Sequence, residues 1–322
     1  MTQILITGGT GFVGSHMTDY ILDKHPDVDL IVCAKRRRSD ESNIKHLLHN
    51  AKVKYLDVNL EDAKSVDNIF LVHGKFDRCF HLAAQSFVKL SFDSPSETLT
   101  TNIIGTLNLL EAFRKYNKEC VIQIAGSSEE YGEQIITPIK EDAPLNPLSP
   151  YAVSKVTQEK LGYQYYKSYG LKTVLTRTFN HEGPRRGEMF VTSSFAKQIV
   201  EIEKGLREPV ISHGNLDSYR DYTDVRDVVL AYWLATEKCA YGEAYNICSG
   251  NSIKIEDMLN YMLAQSTRKD IKNVLDPNKL RPSDLIKLEG SNAKFCETTG
   301  WAPTITVWQM FTDILNYWRE RV

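Results

Sequence analysis

Neither sign of charge is in excess: 39 Lys and Arg stand against 41 Asp and Glu, a formal net charge of -2. That balance argues against nucleic acid or an anionic membrane as partner, and against an acidic solvating tail. No apolar run approaches the roughly 18 residues that span a bilayer. The chain opens directly into the strand-like MTQILITGG. Of the six cysteines, none forms a Cys-x-x-Cys pair or has a histidine at zinc-ligand spacing, so neither a disulfide framework nor a metal site is expected. Cys33, Cys79, Cys120 and Cys248 lie in apolar strand-like runs, where free cysteine acts as a small buried hydrophobe, in keeping with a reducing cytoplasm. Internal repeats and low-complexity tracts are also lacking. Membrane, secreted, fibrous and disordered classes are set aside on these grounds.

What is present is an ordinary globular composition, 42% hydrophobic and 25% charged, over 322 residues, enough for about two structural units. Short apolar runs at 4–7, 30–34, 53–58, 78–83, 121–125 and 173–179 alternate with helix-length amphipathic stretches. Strands apolar on both faces indicate a parallel sheet covered by helices on each side, hence a doubly wound α/β fold. After about residue 180 the rhythm breaks, with helices expected near 193–204, 225–237 and 307–319 and a strand near 210–213. The division expected is 1–178 with 218–247 as a dinucleotide-binding domain, and 179–217 with 248–322 as a smaller C-terminal substrate-binding lid.

Thr7-Gly8-Gly9-Thr10-Gly11-Phe12-Val13-Gly14 follows the first run and opens a helix. This glycine spacing allows a tight turn, lets backbone approach a pyrophosphate, and aims the N–H groups of a helix start at it. Thr7, Gly8, Gly11, Phe12, Val13 and Gly14 are therefore cofactor candidates. An NAD site usually carries an acid at the end of the second strand. Here that place reads Ala34-Lys35-Arg36-Arg37-Arg38-Ser39. Guanidinium groups suit a 2′-phosphate, so Arg36 and Arg38 favour NADP over NAD. Asp57 and Val58, closing the third strand, are placed to meet the adenine edge.

Tyr-x-x-x-Lys occurs three times, at Tyr20/Lys24, Tyr151/Lys155 and Tyr163/Lys167, so the bare pattern among 16 tyrosines decides little. Tyr151/Lys155 alone opens a helix after a Pro-rich loop, 143–150, which places both side chains on one helical face. A lysine there is expected to lower the phenol pKa, so that Tyr151 can take a hydroxyl proton while hydride leaves the same carbon. Upstream, Gly126-Ser127-Ser128-Glu129-Glu130-Tyr131-Gly132 ends the fifth strand. A hydroxyl there can share the substrate's hydrogen bond with Tyr151, and a carboxylate can serve as a base on carbon.

With TGGTGFVGSH, HLAAQSF, GSSEEYGE and SPYAVSK in place, the sequence resembles the extended short-chain dehydrogenase/reductase family over essentially its full length. RTFNHEGPRRGEMFVTSSFAKQI, GNLDSYRDYTDVRDVV, YNICSG, DPNKLRPSD and TGWAP make it most similar to the GDP-mannose 4,6-dehydratase and GDP-4-keto-6-deoxymannose reductase branch. The resemblance implies a Rossmann-type fold. It implies that Ser127, Tyr151 and Lys155 are the catalytic set and that Glu129 occupies the base position of the sugar dehydratases. Ser128 stands where the GDP-mannose branch has Ser. His81, Leu82, Ala83, Ala84 and Gln85 match the segment passing the cofactor, with Tyr151 and Lys155 also reaching it. Gln85, Ser128, Asn180, Val191, Arg220, Arg281 and Asp284 are the implied substrate contacts.

Two departures keep the reaction open. Ser193-Ser194 replaces the basic pair that the dehydratases carry after Phe-Val-Thr, and RDYTDVRD and GSSEEYG read like the reductase, whereas HEGPRRGE reads like the dehydratase. Three functions follow: a GDP-sugar 4,6-dehydratase, which is preferred; a GDP-sugar C4 oxidoreductase; and a non-catalytic dinucleotide sensor, which would be expected to have lost Tyr151 or Lys155. A homodimer or homotetramer is also expected, pairing through the helices around 97–116 and 151–169, with Thr106, Leu107, Leu110 and Tyr165 as interface candidates.

Overall fold

The computed structural model describes all residues of the chain except Arg38, Arg281, Ser283 and Asp284. The first six strands are β1 (Gln3–Thr7), β2 (Leu30–Lys35), β3 (Val53–Asp57), β4 (Arg78–His81), β5 (Val121–Ala125) and β6 (Lys172–Thr178). Next come β7 (Asn180–Glu182), β8 (Val210–His213), β9 (Tyr219–Asp224), β10 (Ala244–Ile247), β11 (Ser252–Lys254), β12 (Lys272–Leu275) and β13 (Lys287–Leu288). Seven of them form one parallel sheet in the order β10-β6-β5-β4-β1-β2-β3. The order reverses between β1 and β4, which opens a crevice at the carboxyl ends of the strands.

The period-two pattern of these strands sorts side chains cleanly. Ile4, Ile6, Ile31, Cys33 and Phe80 enter one buried cluster, with Met17 and Ile21 of helix Phe12–Lys24 and Val228 and Tyr232 of helix Val225–Lys238. Leu5, Val32, Ala34 and Cys79 enter the other, against helices Ala63–His73 and Gly105–Tyr116. Each fully buried Leu, Ile or Phe contributes about 1.5–3 kcal/mol, which is why both faces of the sheet are covered. This is the Rossmann-type doubly wound sheet, and the expected runs lie within a residue or two of its strands.

Three findings differ from the sequence reading. β10, a strand that the apolar runs do not name, completes the main sheet, on the side of the division to which 218–247 is assigned. β9, grouped above with 218–247, instead pairs with β7, β11 and β13 in a second sheet. Its buried Asp221 accepts N–H groups from Ser249 and Gly250, just before β11, and from Gly290, just after β13. Of the interface candidates, Thr106, Leu110 and Tyr165 are buried within the single chain, Thr106 by hydrogen bonds to His81 and Gln158. Among the described residues no helix is long and apolar enough to cross a membrane.

Candidate active site

Two cavities meet at the carboxyl ends of the strands. The first, about 470 Å³, is lined by Gly8, Gly11, Phe12, Val13, Gly14, Arg36, Val58, Leu82, Ala83, Ala84, Gln85, Tyr151 and Lys155. Gly8 takes a φ of 74°, in the left-handed region, and a Cβ there would stand 3.0 Å from the Cα and N of Ala83. Helix Phe12–Lys24 starts at Gly11 with no side-chain cap and no acid in its first turn. Its leading N–H groups are thereby left for an anion. On Gly14 a Cβ would lie 2.3 Å from the Gly8 carbonyl oxygen. Gly14→Ala is therefore expected to lower stability by about 1–3 kcal/mol, as overpacking does, and to abolish dinucleotide binding. A denaturant midpoint and a dinucleotide titration check both.

Thr7 does not line the cavity but holds its floor. Its Oγ accepts the Leu82 and Ala83 N–H groups, each at 3.2 Å, and lies 2.8 Å from His81 Nδ1. His81 Nε2 lies 2.8 Å from Thr106 Oγ, which itself donates to the Asn102 carbonyl. The donor count then assigns the histidine proton to Nε2. Burial pushes the His81 pKa down to about 3, so the ring stays neutral and locks β1 to β4. Asp57 is not in the lining either; its carboxylate lies 2.8 Å from the Nζ of Lys35, which lines the cavity. Arg36 reaches the cavity, donating to Thr101 Oγ at 2.8 Å, with Glu61 at 3.5 Å and Glu97 at 3.7 Å.

The second cavity, about 500 Å³, is lined by Ser127, Ser128, Glu129, Tyr151, Asn180, Val191 and Arg220, among others. Arg220 donates to the Leu285 carbonyl at 2.7 Å. Gln85, expected along the cofactor segment and as a substrate contact, lines the first cavity, its amide tied to Thr98 and to both backbone groups of Phe87. Arg38, Arg281 and Asp284 lie outside the described residues.

Tyr151 lines both cavities. Ser149 caps its helix by accepting the Ala152 N–H, and Pro150 supplies the first turn. One turn on, Lys155 donates to the Ala125 carbonyl at the end of β5, at 2.8 Å. A π-turn at Thr100–Ile104 carries the buried Asn102, which bonds both backbone groups of Gln85 and the Ser154 hydroxyl. The other two Tyr-x-x-x-Lys pairs line neither cavity.

The electrostatics differ from the expectation that Lys155 lowers the Tyr151 pKa. Burial dominates and pushes the phenol up; the Ser127 hydroxyl, hydrogen-bonded to it, opposes this, as does Arg186, while Glu129 and Glu130 add to the rise. Lys155 itself is pushed down to about 8 by burial, partly offset by Glu130. Its Nζ stands 5.8 Å from the Tyr151 ring centroid. The pair thus shares a water-poor pocket that disfavours charge on either member.

His181 and Arg186 line both cavities and were not among the candidate residues. Arg185, with a φ of 73°, turns the chain so that the Arg186 guanidinium lies 3.4 Å from the Phe190 ring centroid and 4.9 Å from that of Phe12. Its Nε is 3.5 Å from Glu182, and burial lowers its pKa. The available signal was the run His181–Arg186 just past β6, where a doubly wound fold places ligands.

The family model for GDP-mannose 4,6 dehydratase matches residues 5–314. The GDP-6-deoxy-D-mannose reductase of Pseudomonas aeruginosa is 33% identical, covering 100% of this chain and 99% of its own. The GDP-mannose 4,6-dehydratase of Vibrio cholerae serotype O1 is 32% identical, over 97% and 92%. Among solved structures, RMD from Pseudomonas aeruginosa complexed with NADPH superposes with a TM-score of 0.84 at 30% identity, covering 100% of both chains. UDP-glucose 4-epimerase of Thermotoga maritima with UDP-glucose gives 0.87 at 30%, covering 99% of each. With a model match spanning nearly the whole sequence and relatives aligned end to end, the chain belongs to the GDP-mannose 4,6-dehydratase family.

Proposed function

We propose that the protein is a GDP-sugar 4,6-dehydratase that holds NADP in the first cavity and a GDP-mannose-like sugar in the second. The carrying observation is Glu129: a carboxylate lines the sugar cavity beside Ser127 and Tyr151, where hydride transfer alone requires no base on carbon. A nicotinamide, when bound, would supply the hydride acceptor for C4 and the hydride donor for C6. Tyr151 takes the C4 hydroxyl proton, with Ser127 holding the same oxygen. The C4 ketone acidifies the C5 hydrogen, and Glu129 removes it as the C6 hydroxyl leaves as water. Lys155 orients the ribose and, while protonated, favours the phenolate. Gly8, Gly11 and the first turn of helix Phe12–Lys24 cradle the diphosphate, and Arg220 meets the diphosphate of the sugar nucleotide.

Mass spectrometry of GDP-mannose incubated with catalytic NADP tests this reading. Loss of one water without net cofactor reduction supports it. Conversion only of a 4-keto sugar, with NADPH consumed stoichiometrically, replaces it with the C4 oxidoreductase. That second reading is favoured by the end-to-end match to the Pseudomonas reductase and by Ser193-Ser194 in place of a basic pair.

NADP is preferred over NAD because Arg36 reaches the first cavity, and a relative was solved with NADPH. Arg36→Ala is expected to weaken NADP binding about tenfold or more, the worth of a charge-assisted hydrogen bond, and to leave NAD within about twofold. Equal losses for both dinucleotides in a fluorescence titration would remove Arg36 from the argument. We also propose a homo-oligomer; a monomeric mass by light scattering at micromolar concentration would reject it.

A further inference from the structure

Two adjacent carboxylates in the 128–131 turn have opposite fates. Glu129 faces the sugar cavity, whereas Glu130 is fully buried and turns back toward the core. Its Oε1 accepts the Ser127 N–H at 2.6 Å, and the Ser127 hydroxyl accepts the Glu129 N–H at 3.2 Å, closing a reciprocal cap on the turn. A Cβ on Gly126 would stand 2.4 Å from Glu130 Oε1, so the carboxyl packs directly on the end of β5. Among the described residues, Glu130 Oε2 is buried with no hydrogen-bond partner.

An acid so enclosed usually has a cation of its own. The nearby guanidinium is already committed: Arg177 clamps Glu159 through two bonds of 2.6 and 2.8 Å, and donates its remaining bonds to Tyr131 and the Glu141 carbonyl. The charged and titratable groups that face Glu130 are Tyr131 on its own turn, Tyr151, Lys155 and Glu159 on the helix, and Arg177 on β6. Burial and the Glu159 charge hold its carboxyl well above the usual carboxylate range.

We propose that Glu130 is a positioning residue of this site: it ties the Ser127 backbone so that the Ser127 hydroxyl stays beside the Tyr151 phenol, and it is the ionisable counter-charge behind Tyr151 and Lys155. This rests on the reading of Tyr151 and Lys155 as the reacting pair. When ionised, Glu130 opposes negative charge on Tyr151 and supports positive charge on Lys155, so it raises both pKa values. Removing its charge moves both down. Glu130 thereby restrains formation of the phenolate at alkaline pH.

The test compares wild type, Glu130→Gln and Glu130→Leu. Oxidised nicotinamide carries a positive charge that the reduced form lacks, so the ratio of NADP to NADPH affinity follows the ionisation of the groups beside it. The Gln variant keeps the acceptor for the Ser127 N–H but cannot ionise. Its affinity ratio, plotted against pH, is expected to inflect lower than wild type by about half a unit or more. The Leu variant loses the acceptor as well, and its kcat is expected to fall about tenfold further than that of Gln with KM little changed. Superimposable wild-type and Gln pH curves would overturn the proposal, and so would a Leu variant as fast as wild type. Should the Leu variant not fold, the Gln curve decides alone. The affinity measurement uses no sugar, so a wrong sugar assignment leaves its outcome intact.

Discussion

Tyr151→Phe is expected to lower kcat by about 10³-fold, within the range for loss of a positioned acid–base group, while dinucleotide affinity stays within about twofold. The expectation follows from placement. Tyr151 is the titratable residue shared by both cavities that is hydrogen-bonded to Ser127, and its phenol is pushed up by burial rather than activated in advance. The charge needed to ionise it must come from groups that act when both cavities are filled. Lys155, pushed down to about 8, begins to lose its proton just above neutrality. Its support for the phenolate is present below that pH and fades above it, so kcat is expected to decline on the alkaline side. Steady-state kinetics across pH 6–10 reads both features. A Phe variant within tenfold of wild type would remove Tyr151 from the chemistry.

Glu129→Gln is expected to separate the two halves of the reaction. The amide cannot remove the C5 proton, so water loss is expected to drop by about 10²–10⁴-fold. Oxidation at C4 needs only Tyr151, Ser127 and Lys155, and it persists. With the later step blocked, the hydride has nowhere to return. Mixing the variant with GDP-mannose and NADP is then expected to give a burst of reduced nicotinamide, at most one per site, followed by near silence. Wild type shows no such accumulation. A Gln variant that releases the dehydrated sugar at the wild-type rate would disqualify Glu129 as base. A wild type that itself accumulates NADPH through many turnovers would identify a C4 dehydrogenase.

Much of the fold was legible because its signals are short-range. Alternation in β1, β2 and β4 records which side chains face which layer, and Gly8, Gly11 and Gly14 record where backbone must come close. Tyr151 and Lys155 share one helix, so their spacing carries their relation. Other placements left no such trace. Asp57, a candidate cofactor contact, is paired across the strands with Lys35, and of the two Lys35 lines the cavity. Gln85, expected both along the cofactor segment and toward the substrate, has its amide held beside the first cavity by Thr98 and Phe87. Each depends on a partner far away in sequence or in another element.

The sequence by itself determined the doubly wound sheet, the glycine turn at its first helix, and the pairing of Tyr151 with Lys155, because sterics and hydrogen-bond periodicity act over a few residues. Only the tertiary structure decided that Tyr151, already singled out by its place at a helix start, lines both cavities. It also decided that Arg186 lines both cavities, and that Glu129 lines the second while Glu130 is fully buried. The sign of the Tyr151 shift belongs there too. Desolvation and Coulomb forces depend on everything that packs around a group, and those neighbours arrive from β5, β6, the 185–190 loop and the 150–169 helix, segments that only folding brings together.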